Sequence, residues 1–251
     1  MSNLSISSNA FRFWTNFYPK DCEENPCWGL CRWAGEKAYL DMNRTLTFLK
    51  SGEEPEVAEE REQLRDQAIA EMFVCFGTVE GAYDTWHKTV CDCIIGVYQT
   101  HLKKRTKTGD VEGCDMTYGQ AQKWLNMTIK YIWLVCSVYG TSATFRYYES
   151  LMRREREFHV PLDRYIIDHV RTCHRESGKP LPEAIKKIKS EWSRMTDYAA
   201  YLGYQDALKA FIARPEGDDC SPLEWELVHW HKAMKAEEER KKEKQKAKKN
   251  K

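Results

Sequence analysis

The sequence predicts an all-α protein, a bundle of helices built as one large domain. Apolar residues recur at spacings of three and four along most of the chain, and the strict alternation of a half-buried strand is nearly absent. Glycine and proline cluster where those periodic stretches stop. With 251 residues, 42% apolar and 31% charged, the chain has enough apolar surface to bury a core and is too polar to be membrane-embedded.

The first periodic stretch covers 31–50, with Trp33, Ala34, Ala38, Leu40, Met42, Leu46 and Leu49 in register. Gly52 and Pro55 punctuate the next junction, and a second helix carries Leu64, Ala68, Ile69, Met72, Phe73 and Phe76. A third is expected over about 80–104, with Tyr83, Trp86, Val90, Ile94, Val97 and Tyr98 on one face and basic Lys103, Lys104 and Arg105 at its end, where the helix dipole favours cations. Residues 106–115, with two glycines, read as a loop and mark a soft division within the domain.

Thr117 and Gln120 form a T-x-x-Q capping box that opens a helix over about 118–139, closed by Gly140. After a mixed stretch at 144–157, Asp163 in FHVPLDRYIIDHV is placed as the N-cap of another helix. Gly178, Pro180 and Pro182 break the chain before helices expected at about 182–194 and 196–213. A final helix starts at Pro222, capped by Ser221. The single domain is expected to span 1–239, with 240–251 a basic, fraying tail.

Charge and cysteine bound the function classes. Residues 240–251 hold eight Lys or Arg against one Glu, a net of +7, so the total of +1 leaves about −6 on the body. A mildly acidic body is not the profile of a protein coated in nucleic acid, although the tail alone supplies phosphate affinity. No apolar run approaches the roughly 18–20 residues of a membrane span. The opening MSNLSISSNAFRFW lacks the basic and apolar regions of a secretory signal, so a cytoplasmic location is expected, with no membrane partner.

Of ten cysteines, Cys22, Cys27 and Cys31 lie at C-x4-C-x3-C, and none makes a paired CxxC…CxxC zinc spacing. Most read as small buried apolar residues. The first three stay open as partial ligands of a metal-dependent hydrolase, but no metal or other cofactor is assigned. His229 and His231, two apart on a helix, do not share a face and make no H-x-x-x-H site. Trp225 and Trp230 read as packing for the last helix, and Tyr198, Tyr201 and Tyr204 as a helical stripe that is either core or pocket wall.

The stretch from Thr117 to Val170 concentrates the chemistry. Gly119-Gln-Ala-Gln-Lys123 leads into a long apolar helix, and Pro161-Leu162-Asp163-Arg-Tyr-Ile follows forty residues on. In these two segments the chain resembles the helix-hairpin-helix DNA glycosylase superfamily, its archaeal 8-oxoguanine glycosylase branch most of all. The resemblance covers about 55 residues. It implies a helical glycosylase fold, double-stranded DNA with a damaged or modified base as partner, and base excision with associated lyase activity. Lys123 falls where the family's Schiff-base lysine stands, and Asp163 where its essential aspartate stands. Met116-Thr-Tyr-Gly119 replaces the usual Leu-Pro-Gly-Val-Gly hairpin, and no four-cysteine iron–sulfur loop follows.

The remaining candidates are contacts to DNA. Gly119 would offer a backbone N–H to phosphate, Gln120 and Gln122 the edge of a flipped base, and Lys130, His159 and Arg164 a phosphate. His159 would alternatively tune Asp163. Each has an ordinary reading: a capping glutamine, a hydrogen-bonded structural histidine, and surface ion pairs for Lys130 and Arg164. The competing function is a non-catalytic helical module that binds nucleic acid or protein. The oligomeric state and the identity of the base are left open.

Overall fold

The computed structural model describes residues 25–50, 54–105, 108–139, 143–176, 178, 181–187, 192–212 and 220–249. They are mostly helical, as expected, with one small two-stranded sheet. Helix α1 runs Pro26–Met42, earlier than the periodicity suggests, because Asn25 accepts the Trp28 N–H at 3.0 Å and Pro26 occupies the first turn. It stops before Leu46 and Leu49. After a 3₁₀ turn at Asn43–Thr45, the chain extends so that Phe48 bridges Leu102. Helix α2 (Pro55–Phe76) buries Leu64, Ala68, Ile69, Met72 and Phe76.

Helix α3 (Tyr83–Val97) ends well before residue 104. Leu102–Arg105 is instead strand β1, paired antiparallel with β2 (Val111–Cys114) from Leu102↔Cys114 to Arg105↔Val111. The basic run therefore belongs to a hairpin and not to a helix end. Gly109, at φ 93°, takes a left-handed conformation inside the connection. A four-residue strand carries too short a pattern to outweigh the helical periodicity before it.

The long central helix α4 (Tyr118–Tyr139) opens with the expected reciprocal box: Gln120 N–H to Thr117 Oγ1 at 3.1 Å, and Thr117 N–H to Gln120 Oε1 at 2.9 Å. It is buried on nearly every face, so Gln120, Gln122, Lys123, Asn126, Thr128 and Lys130 are all buried despite being polar. Burying a polar group is costly unless it is paired, and each of these side chains has a partner. A short helix, α5 (Glu149–Met152), and a buried extended run, Phe158–Leu162, lead to α6 (Arg164–Glu176).

Of the helix expected over 182–194, the described residues show α7 (Glu183–Lys187) and a 3₁₀ turn at Trp192–Arg194. Helix α8 (Tyr198–Ile212) is capped by Asp197, which accepts from Ala199 and Ala200, and its Tyr198, Tyr201 and Tyr204 are core. Helix α9 (Pro222–Lys249) starts as expected, with Ser221 and Glu224 capping each other. It is helical through Lys249. The EEERKKEKQKAKK run is made of strong helix formers, and its basic end complements the dipole. Among the described residues no helix is long and apolar enough to cross a membrane.

Candidate active site

Two segments far apart in sequence meet at α4. Lys123 lies in the second turn of α4, and Asp163 immediately precedes α6. The Lys123 Nζ donates to Asp163 Oδ2 at 3.0 Å. Asp163 Oδ1 accepts the Ile166 N–H at 3.0 Å, the N-cap that the sequence implies. A third helix closes the cluster: Trp230 of α9 donates its indole Nε1–H to the same Asp163 Oδ2 at 3.0 Å. The Lys123 side chain is only 5% exposed, and that of Asp163 14%.

Burial by itself would raise the Asp163 pKa. The Lys123 charge, the Ile166 N–H and the donors from Lys123 and Trp230 overcome it and hold the carboxyl below its ordinary value. The arrangement is thus a buried ammonium beside a firmly ionised carboxylate. Chemically it can stabilise a cation that replaces the ammonium, and it can present an amine once a proton is lost. Neither Lys123 nor Asp163 lines the cleft beside the β1–β2 hairpin, which includes Asp92, Lys103 and Tyr118, or the groove between α6 and α9, which includes Tyr165, His169 and Lys232.

The other candidates are placed as follows. The Gly119 N–H is already donated to Met195 O at 2.9 Å, so it does not face a phosphate. A Cβ at Gly119 would lie 1.8 Å from Trp192 O, so close backbone approach accounts for the glycine. Gln120 serves the capping box and donates to Thr45 O at 2.8 Å, away from any base edge. Gln122 is fully buried, bonded to Gly119 O and accepting from Asn126. Lys130 is not a surface lysine: it pairs at 2.5 Å with Glu226 of α9, with side chains 7% and 1% exposed. Arg164 is half exposed, 3.6 Å from Glu237, with its guanidinium over the Tyr165 ring.

His159 does not reach Asp163. Its Nδ1 accepts the Tyr201 hydroxyl at 2.8 Å, and its Nε2 donates to Asp84 Oδ1 at 2.8 Å. Tyr201 in turn accepts from Asn126 Nδ2, and Asn126 Oδ1 accepts from His87 Nε2, each at 2.9 Å. Tyr198 bonds the other His87 nitrogen. This second constellation draws on α3, α4, α8 and the Phe158–Leu162 run, and its grouping is not visible in the sequence because its members are scattered singly. Burial pushes His159 down to about 4 and His87 well below its ordinary value, so both imidazoles are neutral near pH 7. The His159 hydrogen bond and a Lys209 charge bring Asp84 to about 2 despite its partial burial.

Cys22 lies outside the described residues. Cys31 is buried, with its thiol toward Ile69 O, and burial pushes that thiol up, away from the thiolate a metal needs. His229 bonds His169 at 2.7 Å, while His231 turns to Leu227 O. Among the described residues no group of three His, Cys, Asp or Glu could hold a metal ion. Trp230 is the site residue that sequence reasoning misses. Its indole carries no charge or motif, and packing is the ordinary use of a tryptophan at that position.

No protein-family model, curated protein or solved structure matches the chain. The class that fold and site define is therefore described by its own geometry: a helical protein with a buried lysine–aspartate pair where three helices meet.

Proposed function

We propose that the protein is a DNA glycosylase with associated lyase activity, acting on a damaged or modified base in duplex DNA. The observation that carries this reading is the 3.0 Å contact between the Lys123 amine and the Asp163 carboxylate, from segments forty residues apart. Base excision breaks the glycosidic bond and leaves positive charge on the sugar, which an ionised carboxylate at this position stabilises. The Lys123 amine, after losing its proton, forms a bond to the same sugar carbon as the base departs. Opening of the sugar yields a Schiff base, from which elimination of the 3′ phosphate cuts the strand. The substrate base must first leave the stack, at a cost of a few kcal/mol.

Borohydride tests the proposal directly. In the presence of duplexes carrying a panel of modified bases, reduction traps a covalent protein–DNA adduct, and Lys123→Gln abolishes it. Absence of any adduct across the panel, with folded wild-type protein, rules the reading out.

The low exposure of Lys123 favours a second reading, a non-catalytic helical module in which the pair only pins α6 and α9 to α4. On that reading no lesion yields an adduct. Lys123→Gln then changes stability alone, and removing residues 240–251 weakens nucleic-acid or protein binding.

A further inference from the structure

We infer that Trp230 is a positioning residue for Asp163: its indole N–H fixes the carboxylate oxygen that Lys123 also uses, and keeps that oxygen paired when the amine leaves. The catalytic consequence rests on the glycosylase reading; the hydrogen-bond role does not.

Geometry requires a second donor at this point. Asp163 has two oxygens, and the Ile166 N–H occupies Oδ1 in the capping geometry. Oδ2 receives both the Lys123 ammonium and the Trp230 indole, each at 3.0 Å. An amine that forms a bond to a sugar carbon gives up its hydrogen bond to Oδ2. With only the Ile166 N–H left on Oδ1, a buried carboxylate whose Oδ2 has no donor is expensive and more readily takes up a proton, which would discharge it when positive charge develops on the sugar. The Trp230 N–H prevents this. It is neutral and held on a helix, and it has no proton to surrender near pH 7, so it contributes at every stage.

Helix α9 is itself anchored on both sides of Trp230. The Lys130–Glu226 pair lies one turn before it and the Arg164–Glu237 pair two turns after. The Tyr165 ring meets the indole edge-on at a centroid distance of 5.8 Å. The groups that bear electrostatically on Asp163 are Lys123 from α4, the Ile166 N–H from α6, the Trp230 N–H from α9 and the more distant Tyr204 of α8. Among these only Trp230 is a side-chain donor independent of the amine. The C-terminal helix therefore contributes to the site itself, not only to packing.

The test is Trp230→Phe in the full chain, which keeps an aromatic ring against Tyr165 and deletes the donor. The Asp163 carboxyl is followed by ¹³C NMR titration, assigned through Asp163→Asn. Its midpoint is expected to rise by roughly one pH unit in Trp230→Phe, and the acid limb of the pH–rate profile for adduct formation to move up with it. An unchanged midpoint in a variant with wild-type circular dichroism overturns the inference. A measurement on wild type alone guards against a variant that fails to fold. The Trp230 indole ¹H–¹⁵N resonance must shift with the Asp163 titration, and an indole signal indifferent to it also overturns the inference. If wild type traps no adduct but the carboxyl behaves as expected, the glycosylase reading fails and the role of Trp230 stands. If adducts form and neither midpoint nor acid limb moves, only the role of Trp230 fails.

Discussion

Two of the polar clusters on helix α4 lie within a few residues of each other, and they solve burial in opposite ways. The Lys123–Asp163–Trp230 cluster keeps full charges and satisfies them with few, short contacts between three helices. The second cluster is neutral and branched: Asn126 donates to Gln122 and Tyr201 and accepts from His87, Tyr201 donates to His159, and His159 donates to the partly exposed Asp84. A charged pair this deep gains little over an apolar contact of the same shape, since desolvation cancels most of the attraction. A neutral chain holds the core in one arrangement at lower electrostatic cost, provided every member is satisfied. By this argument stability explains Lys123–Asp163 poorly, and the still deeper Lys130–Glu226 pair as well.

The largest stability effect separates the two directly. Asp163→Ala removes the α6 cap and leaves a buried ammonium and an indole N–H without their acceptor, so a loss of about 3–5 kcal/mol is expected in urea denaturation. Tyr201→Phe removes one link of the neutral chain and orphans only uncharged atoms of Asn126 and His159. Its expected loss is about 1–3 kcal/mol. Equal losses for the two variants would erase the contrast.

Acid sharpens the comparison by its order of attack. His159 and His87 have depressed pKa values in the fold, so their contribution is complete above about pH 6.5, the ordinary histidine value, and is lost as pH falls below it, for His159 down to about 4. Each such group removes about 1.4 kcal/mol per pH unit within that window. Asp163 is also depressed, but from the carboxylate range, so its contribution is lost only below about pH 3.8. Thermal melts between pH 7 and 4.5 should show a steady fall to which the neutral cluster and the His169–His229 pair, also held down by burial, both contribute. Tyr201→Phe, which removes the donor that holds His159 neutral, should make that fall shallower. A melt insensitive to pH over this range would count against both assignments.

Much of the site's scaffold is legible in the residues themselves. The Thr117–Gln120 box, Asp163 before α6 and Ser221–Glu224 before α9 are local hydrogen-bonding patterns within three or four positions, and local chemistry decides them. The Tyr198–Tyr201–Tyr204 stripe marks a buried face through its period alone. Other features escape because their cause lies across the fold. Lys130 reads as a surface lysine until Glu226, ninety-six positions later, packs over it. His159 reads as a neighbour of Asp163 by proximity in sequence, yet the extended run Phe158–Leu162 turns it toward Asp84. The β1–β2 hairpin is hidden because four residues beside a long helix carry too little pattern.

The residues by themselves determined the all-helical class and the caps that begin α4, α6 and α9, each of which follows from propensity, periodicity or a hydrogen bond made within one turn; Lys123 and Asp163 were singled out by a resemblance and not by any of these. Only the tertiary structure decided that those side chains touch, that Trp230 joins them, and that the glutamines and His159 serve the core. Contacts between distant segments are selected by how whole helices pack, and no short window of sequence contains that information.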